Sequence, residues 1–286
     1  MTIIDIHAHI YPSKIAQLAV DAVRDFYTIN MYGKGTIEHL LESQSKSPIT
    51  HFVVHSVATT PRSVTNINNF IAQAAQDNPQ FIGFGAMHQD FEDKEAEIER
   101  AISLGLKGFK LHSDIQKINI DDPKLMEFYE MIEGRLPAIL HIGDYRTDYS
   151  HPRRLKKVLR RFPKLVVNGA HFGGWSMPEI GYDCLCDENC FVDISSSMFL
   201  LGPRRTEELC KLFGTERILF GSDFPMWDPA SEFEIFNAMN FSDSQFQDMY
   251  KNNACKFLGM DIDKILYSES FKALSVVLYL NNLLEI

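Results

Sequence analysis

IIDIHAHI, at residues 3–10, is the segment from which the fold is first predicted. Isoleucines around an aspartate and two histidines predict a buried β-strand rather than a helix. Because successive side chains of a strand point to opposite faces, His7 and His9 share one face, and we expect their Cβ atoms to be about 6–7 Å apart. Two imidazoles at this spacing can bind one divalent cation, whereas two core histidines bonded to backbone are the alternative. The stretch therefore predicts a strand that carries either a metal site or two structural histidines.

Strand-like segments alternate with helix-like segments along the rest of the chain. The predicted strands are residues 3–10, 51–56, 81–87, 108–112, 137–141, 165–171, 190–194 and 217–223. The predicted helices are residues 15–26, 36–45, 63–77, 93–104, 123–132 and 152–162, and two more that start near Glu207 and Ser242. This alternation predicts an α/β fold, a single-domain (β/α)₈ TIM barrel. An open doubly wound sheet would have a glycine-rich phosphate turn after its first strand, and residues 8–13 contain no glycine.

Composition and charge limit the classes of function. The chain has 286 residues, of which 45% are hydrophobic and 23% charged, as in globular proteins that bury a core. Its net charge of −10 opposes binding to nucleic acid or to an anionic membrane, so we expect a small-molecule substrate as its partner. The five cysteines lack a disulfide-like spacing, and Met1 leads directly into a strand instead of a signal peptide. Both features predict a cytoplasmic location.

Polar side chains lie where the predicted strands end, which in a barrel is the mouth that holds the active site. The ends of the first, fourth, fifth, sixth and eighth strands carry His7, His9, Lys110, His112, His141, His171 and Asp223. Imidazole nitrogens together with one carboxylate suit Zn²⁺ or a similar divalent ion that also binds water. Such an ion lowers the pKa of the water towards ~7, so that hydroxide attacks a carbonyl at neutral pH. We therefore predict a metal-dependent enzyme in which Asp223 is both a ligand and a proton acceptor.

The order of these motifs resembles the amidohydrolase superfamily, specifically its branch called amidohydrolase family 2. The resemblance rests on the His-x-His of the first strand, on His141 and His171, on LFGSDFP at residues 219–225 and on NNACKFL at residues 252–258. It implies a distorted (β/α)₈ barrel that holds one or two divalent metal ions. By position, it implies that the metal is bound by His7, His9, His141 and Asp223. His171 would then orient the substrate or relay a proton.

Lys110 decides how many metal ions we expect. Relatives with two ions often have a carboxylated lysine or a glutamate on the fourth strand as a bridging ligand. Lys110 shares a strand face with His112, and Lys-x-His also fits relatives in which neither side chain binds metal. We therefore expect one divalent ion, zinc or alternatively manganese, without a second ion bridged by Lys110, and assign Lys110 and His112 to substrate binding. Arg146 follows His141 in a mouth loop, where its planar guanidinium can hold a substrate carboxylate or form a surface salt bridge.

Four functions are compatible with this site. The leading hypothesis is a metal-dependent hydrolase of a small carboxylated or cyclic amide or ester, in which Asp223 takes the proton of the attacking water and His171 stabilises the oxyanion. The alternative is a metal-dependent non-oxidative decarboxylase of an unsaturated or aromatic carboxylate. A deoxyribonuclease on a similar barrel is disfavoured by the acidic charge and by Lys110, where those enzymes have a glutamate. A metal-free scaffold barrel is disfavoured by the intact set of ligand-type residues.

The end of the chain extends beyond the resemblance. We divide the chain into a barrel at residues 1–260 and a C-terminal extension at residues 261–286, which its apolar spacing predicts to be helical. Residues 271–284 are rich in apolar side chains, but Asn281 and Asn282 interrupt them and the run is too short to span a bilayer. Because exposed apolar side chains are costly in water, we predict that the extension docks at a subunit interface and helps to form a homodimer.

Overall fold

The strands are short and pair in parallel, in chain order. A computed structural model of the protein describes residues 1–262. The strands are β1 (Ile4–His9), β2 (His51–His55), β3 (Phe81–Gly83), β4 (Gly85–Ala86), β5 (Phe109–Leu111), β6 (Ala138–Leu140), β7 (Val167–Gly169), β8 (Phe191–Asp193) and β9 (Ile218–Leu219). β1, β2 and β3 form one parallel sheet, and β4 to β9 form a second one. Each predicted strand is therefore present, with the third divided into β3 and β4.

The interruption of the third strand lies at Phe84. The backbone N–H of Phe84 donates to the carbonyl of Val54 on β2, at 2.9 Å, whereas the N–H of Gly85 donates to the carbonyl of Gly108, at 2.8 Å. The chain thus changes its pairing partner within one residue. A Cβ atom at Gly108 would lie 2.4 Å from the ring of Phe84, so this close approach requires glycine.

Backbone contacts join the first strand to the segment that follows the last one. The N–H of Asp223 donates to the carbonyl of His7, at 2.8 Å. Ala8 and Phe224 form a parallel bridge. These contacts connect the two ends of the strand series, as a barrel requires. The predicted α/β fold, a distorted TIM barrel, is therefore confirmed, and Asp223 is brought beside the first strand.

Helices connect the strands around the barrel. They are α1 (Ser13–Tyr27), α2 (Ile37–Gln44), α3 (Val64–Asp77), α4 (Lys94–Ser103), α5 (Ser113–Gln116), α6 (Pro123–Ile132), α7 (Pro152–Arg161), α8 (Pro178–Leu185), α9 (Ser197–Phe213), α10 (Pro229–Asn237), α11 (Asp243–Gln247) and α12 (Asn253–Leu258). α6 and α10 each begin with a proline after a capping aspartate, because the side chains of Asp122 and Asp228 accept from the N–H groups of Lys124 and Ala230.

Several helices differ from the prediction. α9 begins at Ser197, well before the predicted start near Glu207. Gly202 has a φ of 72° inside α9 and is followed by Pro203, so a kink separates the first turns from the regular spacing that follows. The helices α5, α8 and α10 were not predicted. None of these differences moves a predicted site residue away from a strand end.

Apolar side chains fill one end of the barrel and leave the other end to polar groups. A small cluster contains Ile4, Ile6, Val53 and Phe84 from the first halves of the strands, and Phe257 of α12 packs on it. A larger cluster lies between the strands and the surrounding helices. Because apolar side chains occupy the start of the strands, the polar residues at the strand ends face a separate space, the mouth.

The predicted C-terminal extension lies almost entirely outside the described residues. Ile262 is the last of these, and its buried side chain belongs to the small cluster. The division at residue 260, the helical extension and the homodimer that depends on it stay predictions. Within residues 1–262, none of the helices has both the length and the hydropathy that a membrane span needs.

Candidate active site

The structure brings together seven of the eight residues that the sequence assigned to the site. His7, His9, His112, His141, His171 and Asp223 line one cavity of about 640 Å³, and the amine of Lys110 lies 3.0 Å from Nε2 of His7. These side chains meet at one place because the parallel strands of a barrel all have their carboxyl ends at the same rim. Arg146 is the eighth residue and is not part of the cavity lining, although its guanidinium lies over the rings of Tyr27 and Trp175, which are.

The first group of ligand-type side chains comprises His7, His9, His55 and Asp223, and we call it the His7 cluster. Oδ1 of Asp223 lies 3.5 Å from Nε2 of His7 and 3.7 Å from Nε2 of His9. The ring of His55 stands edge-on to that of His9, with the centroids 4.4 Å apart. Within residues 1–262, both ring nitrogens of His55 and Nδ1 of His9 are buried without a hydrogen-bond partner. Unpaired nitrogens beside a carboxylate are what a divalent metal site requires.

Asp193, at the end of β8, fixes the tautomer of His7. Its Oδ2 lies 3.1 Å from Nδ1 of His7, and the same oxygen accepts from the side-chain amide of Asn168, at 2.7 Å. A carboxylate beside Nδ1 places the imidazole proton there, so Nε2 carries the lone pair that faces Asp223. This arrangement, a carboxylate behind a histidine, is common among metal-binding histidines.

Lys110 is a second possible partner for Nε2 of His7. Its amine lies 3.0 Å from Nε2 of His7, and this nitrogen has a single lone pair. Nε2 of His7 can therefore accept from Lys110 or bind a metal ion, but not both at once. Burial lowers the pKa of Lys110 to about 8, although the carboxylates of Asp193 and Asp223 act in the opposite direction.

The second group comprises His112, Asp114 and His141, and we call it the His112 cluster. The rings of His112 and His141 stack almost in parallel, with the centroids 3.8 Å apart. The hydroxyl of Tyr27, at the end of α1, lies 2.7 Å from Nε2 of His112 and 3.4 Å from Nε2 of His141. Oδ2 of Asp114 is buried without a partner in the described chain and lies 3.8 Å from Nε2 of His141.

His171 connects the two clusters. Its Nδ1 lies 2.9 Å from the carbonyl of Ser195, which can only accept, so Nδ1 carries the proton. Its Nε2 lies 3.0 Å from Nδ1 of His141 and therefore accepts from it. At the other end, Nδ1 of His112 accepts from the N–H of Ile115, so Nε2 of His112 donates to Tyr27. The four side chains thus form one directed hydrogen-bond chain across the mouth, from His112 through Tyr27 and His141 to His171.

Burial keeps the imidazoles of both clusters neutral. It lowers the pKa far below the usual range, helped by the charge of Lys110 and of neighbouring rings, at His7, His9, His55, His112 and His141. Burial also raises the pKa of Asp223, against the charges of His171 and Lys110. A neutral imidazole is the form that binds a metal ion.

Backbone strain is concentrated in the same place. His171, Ser196 and Asp223 have φ angles of 59°, 60° and 63°, in the left-handed region that residues with a Cβ rarely adopt. The strained backbone of Ser196 brings its hydroxyl to Oδ2 of Asp223, at 2.6 Å, and this hydroxyl also accepts from the indole N–H of Trp227, at 2.9 Å. Asp223 is therefore held from both sides, with Oδ1 left towards His7 and His9.

Arg146 is engaged elsewhere. Its guanidinium forms a bidentate contact with the buried carboxylate of Asp144, with Nε to Oδ1 at 2.9 Å and Nη2 to Oδ2 at 2.6 Å. It also stacks on the ring of Phe26, 4.5 Å from the centroid. Since its fork already holds a carboxylate, the structure gives no support to Arg146 as the anchor of a substrate carboxylate, and that role stays a prediction.

Sequence reasoning missed several residues of the site. His55 was not among the predicted site residues, although it ends β2 just as the other histidines lie at the ends of their strands. Asp193 ends β8 and was equally visible by the strand-end rule. Tyr27 had no such signal, because it comes from a helix, and no spacing in the sequence shows that the end of α1 folds over the mouth.

The fold and the residues of the mouth match a known family. A sequence model of that family, described as Amidohydrolase, matches residues 4–260. The chain belongs to this amidohydrolase family. The match covers every described strand and both histidine clusters, so the resemblance stated from the motifs is confirmed.

The individual relatives of this amidohydrolase chain have low sequence identity to it. 2-Amino-3-carboxymuconate-6-semialdehyde decarboxylase of Dictyostelium discoideum is 28% identical over 244 residues, which cover 70% of this chain and 67% of the relative. The match thus spans about two thirds of the length of that curated relative. Among solved structures, 5-carboxyvanillate decarboxylase of Novosphingobium aromaticivorans, complexed with manganese and 4-hydroxy-3-methoxy-5-nitrobenzoic acid, is 17% identical, with a TM-score of 0.72 and coverage of 91% and 96% of the two chains. 2,6-Dihydroxybenzoate decarboxylase complexed with 2,6-dihydroxybenzoate is 15% identical, with a TM-score of 0.69 and coverage of 91% and 100%. At these identities the solved structures show a shared fold.

Proposed function

We propose that the chain is a metal-dependent non-oxidative decarboxylase of an unsaturated or aromatic carboxylate. The observation that carries the proposal is the position of the His7 cluster at one end of a cavity whose walls are otherwise mostly apolar. Apolar walls destabilise a localised carboxylate charge more than the delocalised charge that develops as CO₂ leaves.

The comparisons favour this alternative over the hydrolase that we put first from the sequence. The curated relative and both solved neighbours named above are decarboxylases, and the two neighbours hold substituted benzoates. One of them also holds manganese, so we propose Mn²⁺ as the first ion to test. Zinc, expected from the ligand types alone, stays a prediction.

We assign the metal to His7, His9 and Asp223 of the His7 cluster, and His141, the fourth ligand that the resemblance implies, stays a prediction. The neutral rings, with Nε2 of His7 and Nε2 of His9 beside Oδ1 of Asp223, fit a divalent ion. His141 fits less directly, because Nδ1 faces His171 and Nε2 faces Tyr27, and binding through His141 replaces one of these hydrogen bonds. When bound, such an ion supplies positive charge that stabilises the oxygens of the substrate as negative charge builds up.

The protein's own residues have the task of replacing the carboxylate with a proton. The bond between the carbon and the carboxylate breaks, its electron pair stays on the carbon, and that carbon then takes up a proton. We assign proton delivery to His171, whose ring the carbonyl of Ser195 holds. The proton on Nδ1 of His141 moves to Nε2 of His171 and from there to the carbon, Tyr27 returns a proton to Nε2 of His141, and solvent replaces the proton that is consumed. His112 lines the same space and the amine of Lys110 lies beside His7, and both are assigned to substrate binding.

Release of CO₂ tests the proposal. Protein loaded with Mn²⁺ is incubated with hydroxybenzoates and unsaturated dicarboxylates, and in parallel with small cyclic amides and esters. We expect CO₂ from at least one carboxylate, and none from the same protein after its metal has been removed by a chelator. Hydrolysis of the amides or esters without CO₂ release from any acid would overturn the decarboxylase in favour of the hydrolase.

A further inference from the structure

The cavity extends well beyond the histidines, along the helix α1. Residues at regular steps of three and four along α1 line it, which places them on one face of the helix. They are Ile15, Leu18, Ala19, Ala22, Val23 and Phe26. Together they form an apolar stripe that leads from the mouth of the barrel towards the surface.

α1 is therefore apolar on two faces. Ala16 and Val20 are buried on its core side, as expected of a helix that covers a barrel. The stripe lies on a different side, where Ile15 and Leu18 are 49% and 73% exposed. A helix that covers a barrel normally carries polar residues away from its core face, and a contiguous exposed apolar surface marks a binding site.

The helix α3 forms the facing wall. Ile67 and Phe70 contribute apolar surface there, and Asn66 is one of the few polar residues on that side. We call the space between the stripe of α1 and these residues of α3 the α1–α3 groove. The ionisable side chains that line the cavity are His, Tyr and Asp223. Arg146 packs on the ring of Phe26 at one end of the stripe, but its guanidinium already holds the carboxylate of Asp144.

The size of the cavity also exceeds what a small acid needs. Its volume of about 640 Å³ lies in the middle of the ~300–1,000 Å³ range in which pockets bury drug-sized ligands. The histidines and Asp223 lie at one end and the walls beyond them are mostly apolar, with Ser63 and Asn66 as polar exceptions, so a substrate that fills the space has one polar end and a long, mostly apolar remainder.

We infer that the substrate carries an apolar chain or ring system of several carbons, which lies in the α1–α3 groove while its carboxylate end meets the histidines. This inference rests on the proposed function for the chemistry of the polar end. The groove itself is defined by α1 and α3, so its specificity can be measured separately from the reaction.

Binding as a function of chain length tests the groove. Calorimetric titration of the full, Mn²⁺-loaded chain uses 4-alkylbenzoates from methyl to decyl, which lack the ring hydroxyls that favour loss of CO₂. We expect Kd to fall up to about fourfold per buried methylene, equivalent to ~0.8 kcal/mol, until the groove is filled. Turnover of 4-alkyl-2,6-dihydroxybenzoates, followed by CO₂ release, forms the second arm.

Two variants locate the effect. Ala22→Trp fills the groove from the stripe, so the gain in affinity from methyl to decyl should shrink by at least tenfold. Gln17→Trp adds the same ring to the same helix at an exposed position outside the cavity lining, and it should keep the full gain.

The two arms separate the two proposals. A Kd that is independent of chain length, or an equal gain in both variants, overturns the groove, as it would if a second copy or another segment of this chain filled it. Longer chains that bind more tightly without any CO₂ release support the groove and overturn the decarboxylase. Release of CO₂ from the shortest acid alone, with no gain in affinity from longer chains, supports the decarboxylase and overturns the groove.

Discussion

The His7 and His112 clusters are built from the same side chains at the same end of the barrel, yet they differ in how their nitrogens are satisfied. In the His7 cluster, within residues 1–262, both nitrogens of His55 and Nδ1 of His9 are buried without a hydrogen-bond partner. In the His112 cluster, the nitrogens of His112 and His141 all have partners, supplied by Ile115, Tyr27 and His171.

This difference indicates two separate tasks. A buried polar atom without a partner costs about 1–3 kcal/mol, which a bound ion can offset. The His7 cluster therefore has the properties of a ligand set that is ready for a metal ion. The His112 cluster has those of a hydrogen-bond relay, with the unpaired Oδ2 of Asp114 as its exception.

Substitution of the two aspartates should give the largest contrast. Asp223→Asn removes a charged oxygen that faces His7 and His9, so we expect metal content to fall below half an equivalent and kcat/KM to fall more than ~100-fold, the upper end of what losing a ligand's hydrogen-bond partner costs. Asp114→Asn, the matched control in the His112 cluster, should keep one equivalent of metal. Metal analysis and CO₂ release measure both, with circular dichroism to check folding. If Asp114→Asn loses the metal and Asp223→Asn keeps it, the two tasks are assigned the wrong way round.

Asp193→Asn probes the support of the His7 cluster. The amide no longer holds the proton of His7 on Nδ1 by charge, so we expect metal affinity to fall about 10–100-fold. Titration of the chelated protein with Mn²⁺ measures the affinity. Asn168→Leu is a useful comparison, because it removes a partner of the same carboxylate without touching His7, and its effect on affinity should be several-fold smaller. Equal losses in both variants would mean that the carboxylate only packs the core.

A pair of histidine-to-leucine substitutions should have opposite signs in the metal-free protein. His55→Leu removes unpaired nitrogens and should raise the free energy of unfolding, by up to ~1–3 kcal/mol. His112→Leu leaves the Tyr27 hydroxyl and the Ile115 N–H without their partner and should lower it by a similar amount. Urea denaturation in the presence of a chelator measures both. A loss of stability in His55→Leu would show that its nitrogens are hydrogen-bonded in solution.

The sequence was sufficient for the fold because each barrel strand is a local pattern. Short apolar runs predicted all the strands, and their alternation with helices predicted the barrel. The division of the third strand was not predictable, since it depends on the contact between Phe84 and Gly108, which are far apart in the chain. The start of α9 was not predicted either, because Gly202 and Pro203 interrupt the regular spacing of the helix.

The site was predicted from one rule, which places the active-site residues of a barrel at the ends of its strands. Ligand-type residues at strand ends led to seven residues that meet around the cavity, and the same rule, applied without exception, would also have found His55 and Asp193. The partners of each nitrogen could not be predicted, because they depend on side-chain positions across the mouth. Arg146 is an example, because its position in a mouth loop did not reveal that its guanidinium pairs with the buried carboxylate of Asp144, two residues earlier in the chain.

Tyr27→Phe should have the smallest effect on kcat, and it tests the hydrogen-bond relay most directly. The substitution removes the hydroxyl that joins His112 to His141 and leaves the ring that packs on Trp175. A typical hydrogen bond contributes ~0.5–1.5 kcal/mol, so we expect kcat to fall about two- to twelvefold. Metal content and the Kd for Mn²⁺ should not change, because the hydroxyl touches the His112 cluster and not the His7 cluster. His171→Asn, at the end of the relay, should reduce kcat much further, since it removes the group assigned to proton delivery. A change in metal affinity in Tyr27→Phe, with kcat intact, would place Tyr27 in the metal site and remove the distinction between the two clusters.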